Sequence, residues 1–451
     1  MATPTESRFS RLARLGGLTS RITSSYVGQT VANAFRSEEE RRKAMDRAHV
    51  ENAERVADTM SKLKGAAMKV GQQLAVAAAS MDLPPEVAKA LGKLHAEAEP
   101  VPFDVIRAEI EASLGKPLEQ LFLSVDPQPL GTASLAQAHA GRLLDGRAVV
   151  IKVLHRGIAQ HVSTDLMALK TALIAGRVLQ RDRDELDTIF DELKERLEEE
   201  LDYLKEAENI RAFSQVWSNH PDIQIPTVHP ELSSERILTM DRLNGLPIDA
   251  FVAVATPEAR QRAGHALGEL YFKSAYRYRM LHADPHPGNY LFETDGRVGL
   301  LDFGCVKRFD EYWIARYCKA ALAAVDGDRE KCLTECRELG AWTGNNPVAG
   351  ELLWKIVDLM GEPFRFKKYT VGGTADDILD RIPEHVKAVI QYPEVRTPRD
   401  LIMLHRSLMG MYSIARKLRV EADWGGMSRP QAQFAIDYAN DWARSGTGSY
   451  Q

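Results

Sequence analysis

Two short polar motifs on either side of a predicted β-hairpin limit the fold of this chain more than any other part of its sequence. In the first motif, Asp284 stands five residues before Asn289. Two strand-like runs follow, at 290–292 and 298–301, and the second ends at an Asp-Phe-Gly sequence that begins with Asp302. The two motifs, in this order and joined by one short hairpin, form a specific signal.

The residue types in the two motifs suit phosphoryl transfer. An Asp at the position of Asp284 faces an attacking hydroxyl as base or orienter, while the Asn289 carbonyl reaches a magnesium ion. Asp302 supplies a carboxylate for Mg²⁺ that bridges the terminal phosphates of a nucleotide. Gly304 then lets the chain turn sharply away. Each motif alone is a weak signal, because an Asp before Pro is usually a turn residue. Both together predict Mg²⁺-dependent phosphate chemistry.

An upstream strand carries a lysine that fits the same chemistry. The apolar, β-branched run 148–154 predicts a strand, and Lys152 within it is expected to hold the α- and β-phosphates. The alternative is an ordinary edge-strand lysine, which the wholly apolar flanks of Lys152 disfavour. A partner carboxylate is expected from the next long helix, where the candidates are Glu200, Asp202 and Glu206. On their own, these acids would be a solvated helix face.

Two further segments are predicted to contact the nucleotide. A loop of small residues is expected at 129–139, where it would cover the phosphates. A strand predicted at 235–240 ends in a segment that fits a hinge for adenine. The residues expected to bind the nucleotide in these segments are Gly131, Thr132, Ala133, Ser134, Met240, Asp241 and Leu243.

Three departures disfavour a conventional protein kinase. The covering loop lacks the Gly-x-Gly-x-x-Gly pattern, and its methyl groups limit how closely the backbone can approach phosphate. A helical pattern at about 311–325 begins soon after Gly304 with no Ala-Pro-Glu, so no room remains for a peptide platform. Ala283 occupies the place of the kinase arginine, which argues against control by a phosphorylated activation loop.

Composition excludes several classes of protein. The chain has 451 residues, of which 44% are apolar and 27% charged, as in ordinary globular proteins. A net charge of -5 provides no basic field that would attract nucleic acid, so no nucleic-acid partner is expected. No segment approaches the 18–20 uncharged apolar residues of a spanning helix. Within residues 1–36, five arginines face a single acid, which fits a transit peptide, a basic amphipathic helix or a flexible terminus.

The sequence Lys69-Val70-Gly71-Gln72 resembles the Lys-x-Gly-Gln signature of the UbiB (AarF) atypical kinases. The alanine-containing loop, the Glu200 and Asp202 pair and the missing Ala-Pro-Glu are similar to that family as well. The resemblance implies an α+β, two-lobed protein-kinase-like fold with an N-terminal helical extension over the active site. It also implies that the chain binds ATP with Mg²⁺.

By the same resemblance, individual residues acquire roles. Lys69 and Gln72 would lie over the active site, with Lys69 paired to Glu200, and Glu206 would be the partner of Lys152 because it follows Glu200 by the family's spacing. The family loop often carries three alanines, whereas Gly131 and Thr132 precede Ala133 in this chain, so a changed nucleotide preference is open. The expected organisation is a basic segment 1–36, a helical extension 37–100, an N-lobe 101–245 and a helical C-lobe 246–451.

The expected function is that of an Mg-ATP-dependent phosphotransferase or ATPase that supports ubiquinone biosynthesis or lipid handling. The alternatives are an ATP-binding conformational regulator without phosphoryl transfer and a small-molecule kinase, although the latter does not explain Lys69 and Gln72. Further expected partners are a lipid or quinone precursor, a membrane surface contacted peripherally and a second copy of the chain. The expected location is the cytoplasm, with peripheral membrane association, and import into an organelle is left open.

Overall fold

The computed structural model describes residues 100–133, 135–155, 201–389 and 391–445, together with single positions between 17 and 198. The predicted segment 1–36 and extension 37–100 therefore lie almost wholly outside the described residues. The described helices, in chain order, are α1 (Phe103–Leu114), α2 (Leu118–Leu121), α3 (Tyr203–Trp217), α4 (Ile248–Val254), α5 (Pro257–Phe272), α6 (Glu311–Asp326), α7 (Arg329–Glu338), α8 (Pro347–Gly361), α9 (Ile378–Val389), α10 (Arg399–Leu418) and α11 (Trp424–Ser445). The described strands are β1 (Ser124–Thr132), β2 (Ala136–Arg142), β3 (Ala148–Leu154), β4 (Ile223–Gln224), β5 (Ile237–Asp241), β6 (Met280–His282), β7 (Tyr290–Phe292), β8 (Val298–Leu300), β9 (Val306–Arg308), β10 (Tyr369–Thr370) and β11 (Glu421–Ala422).

The chain divides into two compact units. Among the described residues, the divisions fall after Ala207, Thr227 and Arg242, so that Glu208–Thr227 groups with the second unit. The lobe 101–245 stays a prediction, and Glu208–Thr227 within it belongs to the second unit. The physical reason lies in α3, whose later residues pack on partners within the second unit.

The first unit is an antiparallel sheet in the order β1-β2-β3-β5 with α1 against it. Val149, Ile151 and Val153 alternate along β3 and are fully buried, as are the α1 residues Ile106 and Ile110. This period of two is what the β-branched sequence predicts for a strand with one face on a core. The turn between β2 and β3 uses Gly146 at φ +89°, as its Asp-Gly sequence predicts.

The prediction of a loop at 129–139 is wrong for most of that segment. β1 and β2 continue through it, with Pro129 paired to His139 and Thr132 paired to Gln137. Of the residues between the two strands, the structure describes Ala133 and Leu135. Irregular register on either side of Pro129 accommodates residues of low β propensity. Pairing with β2 therefore overrides the local preference for a loop.

The second unit is mainly helical, with short strands. α6 packs against α7, α8 and α11, while α10 packs on α5. The predicted hairpin is present as β7 and β8, and the helix predicted at 311–325 is present as α6. Helices following a small sheet make the described chain α+β, as the sequence predicts. Within the described residues, no helix is both long and apolar enough to cross a membrane.

The long helical pattern predicted through Leu201 and Leu204 is interrupted. Leu201 lies in a turn, and α3 starts at Tyr203. The Asp202 carboxylate accepts hydrogen bonds from the backbone N–H groups of Leu204 and Lys205, both at 3.0 Å. This is an N-cap, so Asp202 starts a helix, and Glu206 lies one turn further on. Leucine spacing continues across the break, which is why periodicity alone does not reveal it.

Candidate active site

A buried ion pair in the first unit joins β3 to the first turn of α3. Lys152 Nζ donates to Glu206 Oε1 at 2.7 Å, and the two side chains are 15% and 5% exposed. Alternation along β3 directs Lys152 to the face opposite the buried valines and isoleucine, where α3 presents Glu206. Of the three candidate partners, Glu206 is therefore the one that the structure brings to Lys152. Asp202 caps the helix, and Glu200 lies outside the described residues.

A short loop in the second unit carries the predicted base. Residues 283–286, called the Asp284 loop below, connect β6 to a 3-10 turn, Pro287–Asn289. Asn289 Nδ2 donates to Asp284 Oδ2 at 2.8 Å and to the Asp284 carbonyl oxygen at 3.1 Å. Because the Asn289 amide nitrogen serves Asp284, the amide oxygen is the atom left to ligate a cation. The structure thus brings these two predicted residues together and orients both.

The Asp-Phe-Gly motif follows β8 and forms a tight local structure. Asp302 Oδ1 accepts a hydrogen bond from the Gly304 backbone N–H at 3.0 Å. Phe303 is fully buried, and its ring packs edge-on against Phe213 of α3, with centroids 5.2 Å apart. Asn209, one turn earlier on α3, donates to the Phe303 carbonyl oxygen at 3.0 Å. Buried packing of Phe303 on α3 therefore fixes the backbone from which the Asp302 side chain projects.

His282 connects the two motifs directly. It is 5% exposed at the end of β6, and its Nε2 donates to the carbonyl oxygen of Asp302. Burial lowers the pKa of His282, an effect that the nearby Asp302 partly opposes. The His282 and Phe303 rings also pack edge-on at 5.6 Å. A buried imidazole in this position holds the start of the Asp284 loop beside the Asp-Phe-Gly segment.

The predicted nucleotide-contacting residues occupy a turn and a strand end. Gly131, Thr132 and Ala133 form the end of β1 and the turn after it, whereas Ser134 lies outside the described residues. At the end of β5, Met240 is 2% exposed, and the Asp241 carboxylate contacts His229 Nε2 at 2.8 Å. Leu243, in the second unit, packs over Gly299 of β8. Lys69 and Gln72 also lie outside the described residues.

The donor set at Asn289 and Asp302 suits a magnesium ion. Mg²⁺ prefers oxygen ligands, keeps several waters and takes further oxygens from substrate phosphates, so that one or two protein ligands suffice. A carboxylate and an amide oxygen meet this requirement. In the part of the chain that the structure describes, no cluster of three or more His, Cys, Asp or Glu side chains forms a denser metal site.

Sequence reasoning missed one residue beside Asp284. Arg406 of α10 donates from Nη2 to the Ala283 carbonyl oxygen at 2.9 Å, and the same nitrogen is 3.8 Å from Asp284 Oδ1. Arg406 is 123 residues from Ala283 in the chain, so no local motif connects them. The signal in the sequence is a charge that interrupts the apolar helical run 401–414.

Comparison with known proteins decides the family. The ABC1 atypical kinase-like domain matches residues 93–336, more than half of the chain. The chain belongs to the ABC1 atypical kinase-like family. The matched segment contains Lys152, Glu206, Asp284, Asn289 and Asp302. Membership of the UbiB (AarF) atypical kinases, predicted from the sequence, is thereby confirmed.

Curated relatives and a solved structure agree with this family. "Atypical kinase coq-8, mitochondrial" of Caenorhabditis elegans is 28% identical over 382 residues, which cover 83% of this chain and 50% of that protein. "AarF domain-containing protein kinase 1" of Gallus gallus is 30% identical over 338 residues, which cover 73% of this chain and 64% of that protein. The chain thus spans about half to two thirds of the length of these curated relatives.

The solved structure of the Rv3197–erythromycin complex from Mycobacterium tuberculosis is similar to the structure of this chain, with a TM-score of 0.60 and 26% sequence identity. The similarity covers 83% of this chain and 94% of that one. The predicted α+β, two-lobed kinase-like fold is therefore confirmed. The predicted extension over the active site lies outside the described residues.

Proposed function

We propose that this protein is an Mg-ATP-dependent phosphotransferase or ATPase of the UbiB type that supports isoprenoid-quinone biosynthesis or lipid handling. The observation that carries the proposal is the buried ion pair between Lys152 and Glu206. Burying two charges is unfavourable unless their geometry and surroundings compensate, so such a pair is weak evidence for a purely stabilising role. In a kinase-like fold, a strand lysine held by a helix glutamate is the arrangement that binds nucleotide phosphates.

Nucleotide binding would use both the side chains and the backbone of the first unit. Lys152 binds the α- and β-phosphates, and Glu206 keeps its ammonium group oriented. Backbone around the turn covers the phosphates, and the strand end provides a hinge for adenine. The residues proposed for these two contacts are Gly131, Thr132, Ala133, Ser134, Met240, Asp241 and Leu243.

Asn289 and Asp302 would hold Mg²⁺ through their side-chain oxygens. A bound Mg²⁺ neutralises charge on the β- and γ-phosphates. Asp284, oriented by the Asn289 amide, accepts the proton of the attacking hydroxyl or aligns it. The attacking group is water or the hydroxyl of a small, lipid-derived acceptor.

The family resemblance extends the proposal to the N-terminal extension. Lys69 and Gln72 would cover the active site, with Lys69 paired to Glu200, and this cover would prevent a protein substrate from docking. The basic segment 1–36 would contact an anionic membrane surface, where a lipid-derived acceptor is available. One relative carries the word mitochondrial in its name, so import into an organelle is part of the proposal. The peripheral membrane location rests on the basic segment 1–36 alone.

ATP hydrolysis by the purified protein tests this function. Phosphate release would be measured with and without anionic liposomes and prenylated phenols, in wild type, Asp302→Asn and a control, Asp295→Asn. Asp295 lies in the turn of the same hairpin and pairs with the partly exposed Arg262 and Arg297, so the control makes the same chemical change at a nearby carboxylate. We expect turnover in wild type and the control and none in Asp302→Asn.

Stimulation of turnover by both additives would support the quinone-pathway assignment. Unchanged turnover in Asp302→Asn would contradict the assigned site. ATP binding by wild type without turnover under every condition would instead identify a nucleotide-binding regulator, in which occupancy alone switches a conformation.

A further inference from the structure

One face of α10 contacts the Asp284 loop and the residue before it. Arg406 donates to the Ala283 carbonyl oxygen at 2.9 Å, and Ser407 Oγ donates to the His282 carbonyl oxygen at 3.3 Å. Residues 283–286 belong to no helix or strand, so their carbonyl groups need partners other than those of a regular element. Asn289 serves the Asp284 carbonyl oxygen, whereas α10 serves the carbonyl groups of Ala283 and of His282 at the end of β6 from two successive residues.

The same helix approaches the next loop residue closely. A Cβ atom added at Gly410 would lie 2.2 Å from both Cβ and Cγ of Pro285, well inside van der Waals contact. Gly410 is one turn after Arg406, so both residues face the same side of α10. The absence of a side chain at Gly410 therefore allows the helix to lie directly against Pro285, the residue after Asp284.

Arg406 also faces the carboxylate itself. Its Nη2 is 3.8 Å from Asp284 Oδ1, whereas Asn289 donates to Oδ2. The two carboxylate oxygens thus have different neighbours, a cation on one side and an amide on the other. This arrangement sets the rotation of the Asp284 side chain as well as its position.

Helix α10 is itself held firmly within the second unit. Leu404, Ser407 and Ile414 are at most 2% exposed. The Tyr271 hydroxyl of α5 donates to the Leu404 carbonyl oxygen at 2.9 Å, and Lys307 of β9 pairs with Asp400 at 2.5 Å. A helix fixed on several sides can act as a rigid template for an adjacent loop.

We propose that Arg406 is a positioning residue for catalysis and that, with Ser407 and Gly410, it aims Asp284 at the attacking hydroxyl. The catalytic part of this inference rests on the proposed function. Its geometric part, that α10 fixes the Asp284 loop, is independent of any activity. Arg406 touches neither nucleotide nor acceptor in this account and acts only through Asp284 and the loop backbone.

The experiment uses the full chain and four variants. Arg406→Gln removes the positive charge, whereas Arg406→Lys keeps the charge but lacks the planar guanidinium group. Gly410→Ala adds a methyl group against Pro285 and leaves Arg406 unchanged. Lys417→Gln is the matched control, because Lys417 lies on the same helix and pairs with the exposed Asp249. Hydrogen exchange of the segment 281–290 and the kcat and KM of ATP turnover are measured for each variant.

We expect faster exchange of segment 281–290 in Arg406→Gln and Gly410→Ala, and unchanged exchange in Lys417→Gln. The kcat should fall roughly ten- to hundredfold in the first two variants, as small displacements of a reacting group cause, with KM for ATP little changed. Arg406→Lys should recover part of the loss, because the ammonium can still face Asp284. If Arg406 only supported the fold, its substitution would not lower kcat while leaving KM for ATP little changed.

Two results would overturn the inference. Unchanged exchange in both Arg406→Gln and Gly410→Ala would show that α10 does not fix the loop, whether or not the protein turns over ATP. Faster exchange with an unchanged kcat would show that the loop position does not matter for catalysis. If wild type binds ATP but never hydrolyses it, the exchange data alone decide the geometric part, and the catalytic part fails together with the proposed function.

Discussion

The two ion pairs at the predicted catalytic residues differ in burial and in geometry. Lys152 and Glu206 are 2.7 Å apart, with side chains 15% and 5% exposed. Arg406 and Asp284 are 3.8 Å apart, with side chains 35% and 44% exposed. The first pair lies in a low-dielectric environment where removing one partner leaves a costly charge, whereas water screens the second. The comparison separates residues whose loss damages the fold from residues whose loss damages only the geometry of the site.

The largest effect is expected when the buried pair is broken. Glu206→Gln leaves the Lys152 ammonium buried beside a neutral amide, and we expect the free energy of unfolding to fall by about 3 kcal/mol. Urea denaturation measures the change. The control is Glu198→Gln, which breaks an exposed pair with Lys194 and should cost less than about 0.5 kcal/mol.

A double variant distinguishes stability from function at the same pair. Lys152→Met combined with Glu206→Leu replaces both charges by apolar groups of similar size, so most of the lost stability should return. ATP binding, measured by calorimetry, should nevertheless be absent because no cation remains for the phosphates. Retained ATP binding in a stable double variant would remove Lys152 from the nucleotide site.

A fall in pH should lower the free energy of unfolding through His405, which lies on the helix that carries Arg406. His405, the preceding residue, packs against Tyr317 with ring centroids 5.8 Å apart, and desolvation lowers its pKa from 6.5 to about 4. The unfolded chain then binds the proton more readily, so this stability is present above pH 6.5 and is lost as the pH falls through about 4. The loss amounts to at most about 3 kcal/mol.

His405→Phe should flatten the fall in unfolding free energy between pH 6.5 and pH 4, as followed by urea denaturation at several pH values. His265→Gln, on the exposed side of α5, serves as the control and should retain the wild-type slope. An unchanged slope in His405→Phe would mean that His405 is already hydrated in the folded protein.

Breaking the exposed pair should hardly change stability. Arg406→Gln is expected to lower the unfolding free energy by less than about 1 kcal/mol, because both side chains are more than one third exposed. Thermal denaturation of Arg406→Gln, measured beside Glu206→Gln, compares the two losses of stability directly. A loss as large as that of Glu206→Gln would mean that Arg406 supports the fold, and the distinction between the two pairs would fail.

The smallest stability effect is expected at Gly131, beside the turn that is proposed to cover the phosphates. A Cβ added at Gly131 meets no atom within 4 Å, so Gly131→Ala should leave the melting temperature unchanged. The new methyl group should still limit the approach of the backbone to phosphate and weaken ATP binding by roughly two- to fivefold, which corresponds to about 0.4–1 kcal/mol. Calorimetry checks the affinity, and equal affinity would exclude Gly131 from phosphate binding.

The elements around the candidate site were predictable where local chemistry decides them. The strand with Lys152 follows from a β-branched run, and the hairpin between Asn289 and Asp302 follows from two short strand-like runs separated by turn residues. Helix α6 follows from the helical pattern at about 311–325, and the structure adds an N-cap at Asp310. Each of these signals lies within about 16 residues of sequence.

The errors arise where distant contacts decide the structure. Strand β1 continues through Pro129 because β2 provides partners for its backbone, and composition does not reveal this pairing. The break at Asp202 is hidden by leucine spacing that continues across it. Arg406 reaches Ala283 from a separate helix, so its role depends on tertiary packing that a single sequence does not record.

Calorimetric titration of ATP with and without Mg²⁺ tests the central claim most directly, since it requires neither an acceptor nor turnover. Wild type should bind ATP at least about tenfold more tightly with Mg²⁺ than in EDTA, a difference of about 1.4 kcal/mol. Asp302→Asn should abolish that difference, while Asp295→Asn should keep it. Equal affinity in the presence and absence of Mg²⁺ for wild type, or a full Mg²⁺ effect in Asp302→Asn, would contradict the assignment of an Mg-ATP site to these residues.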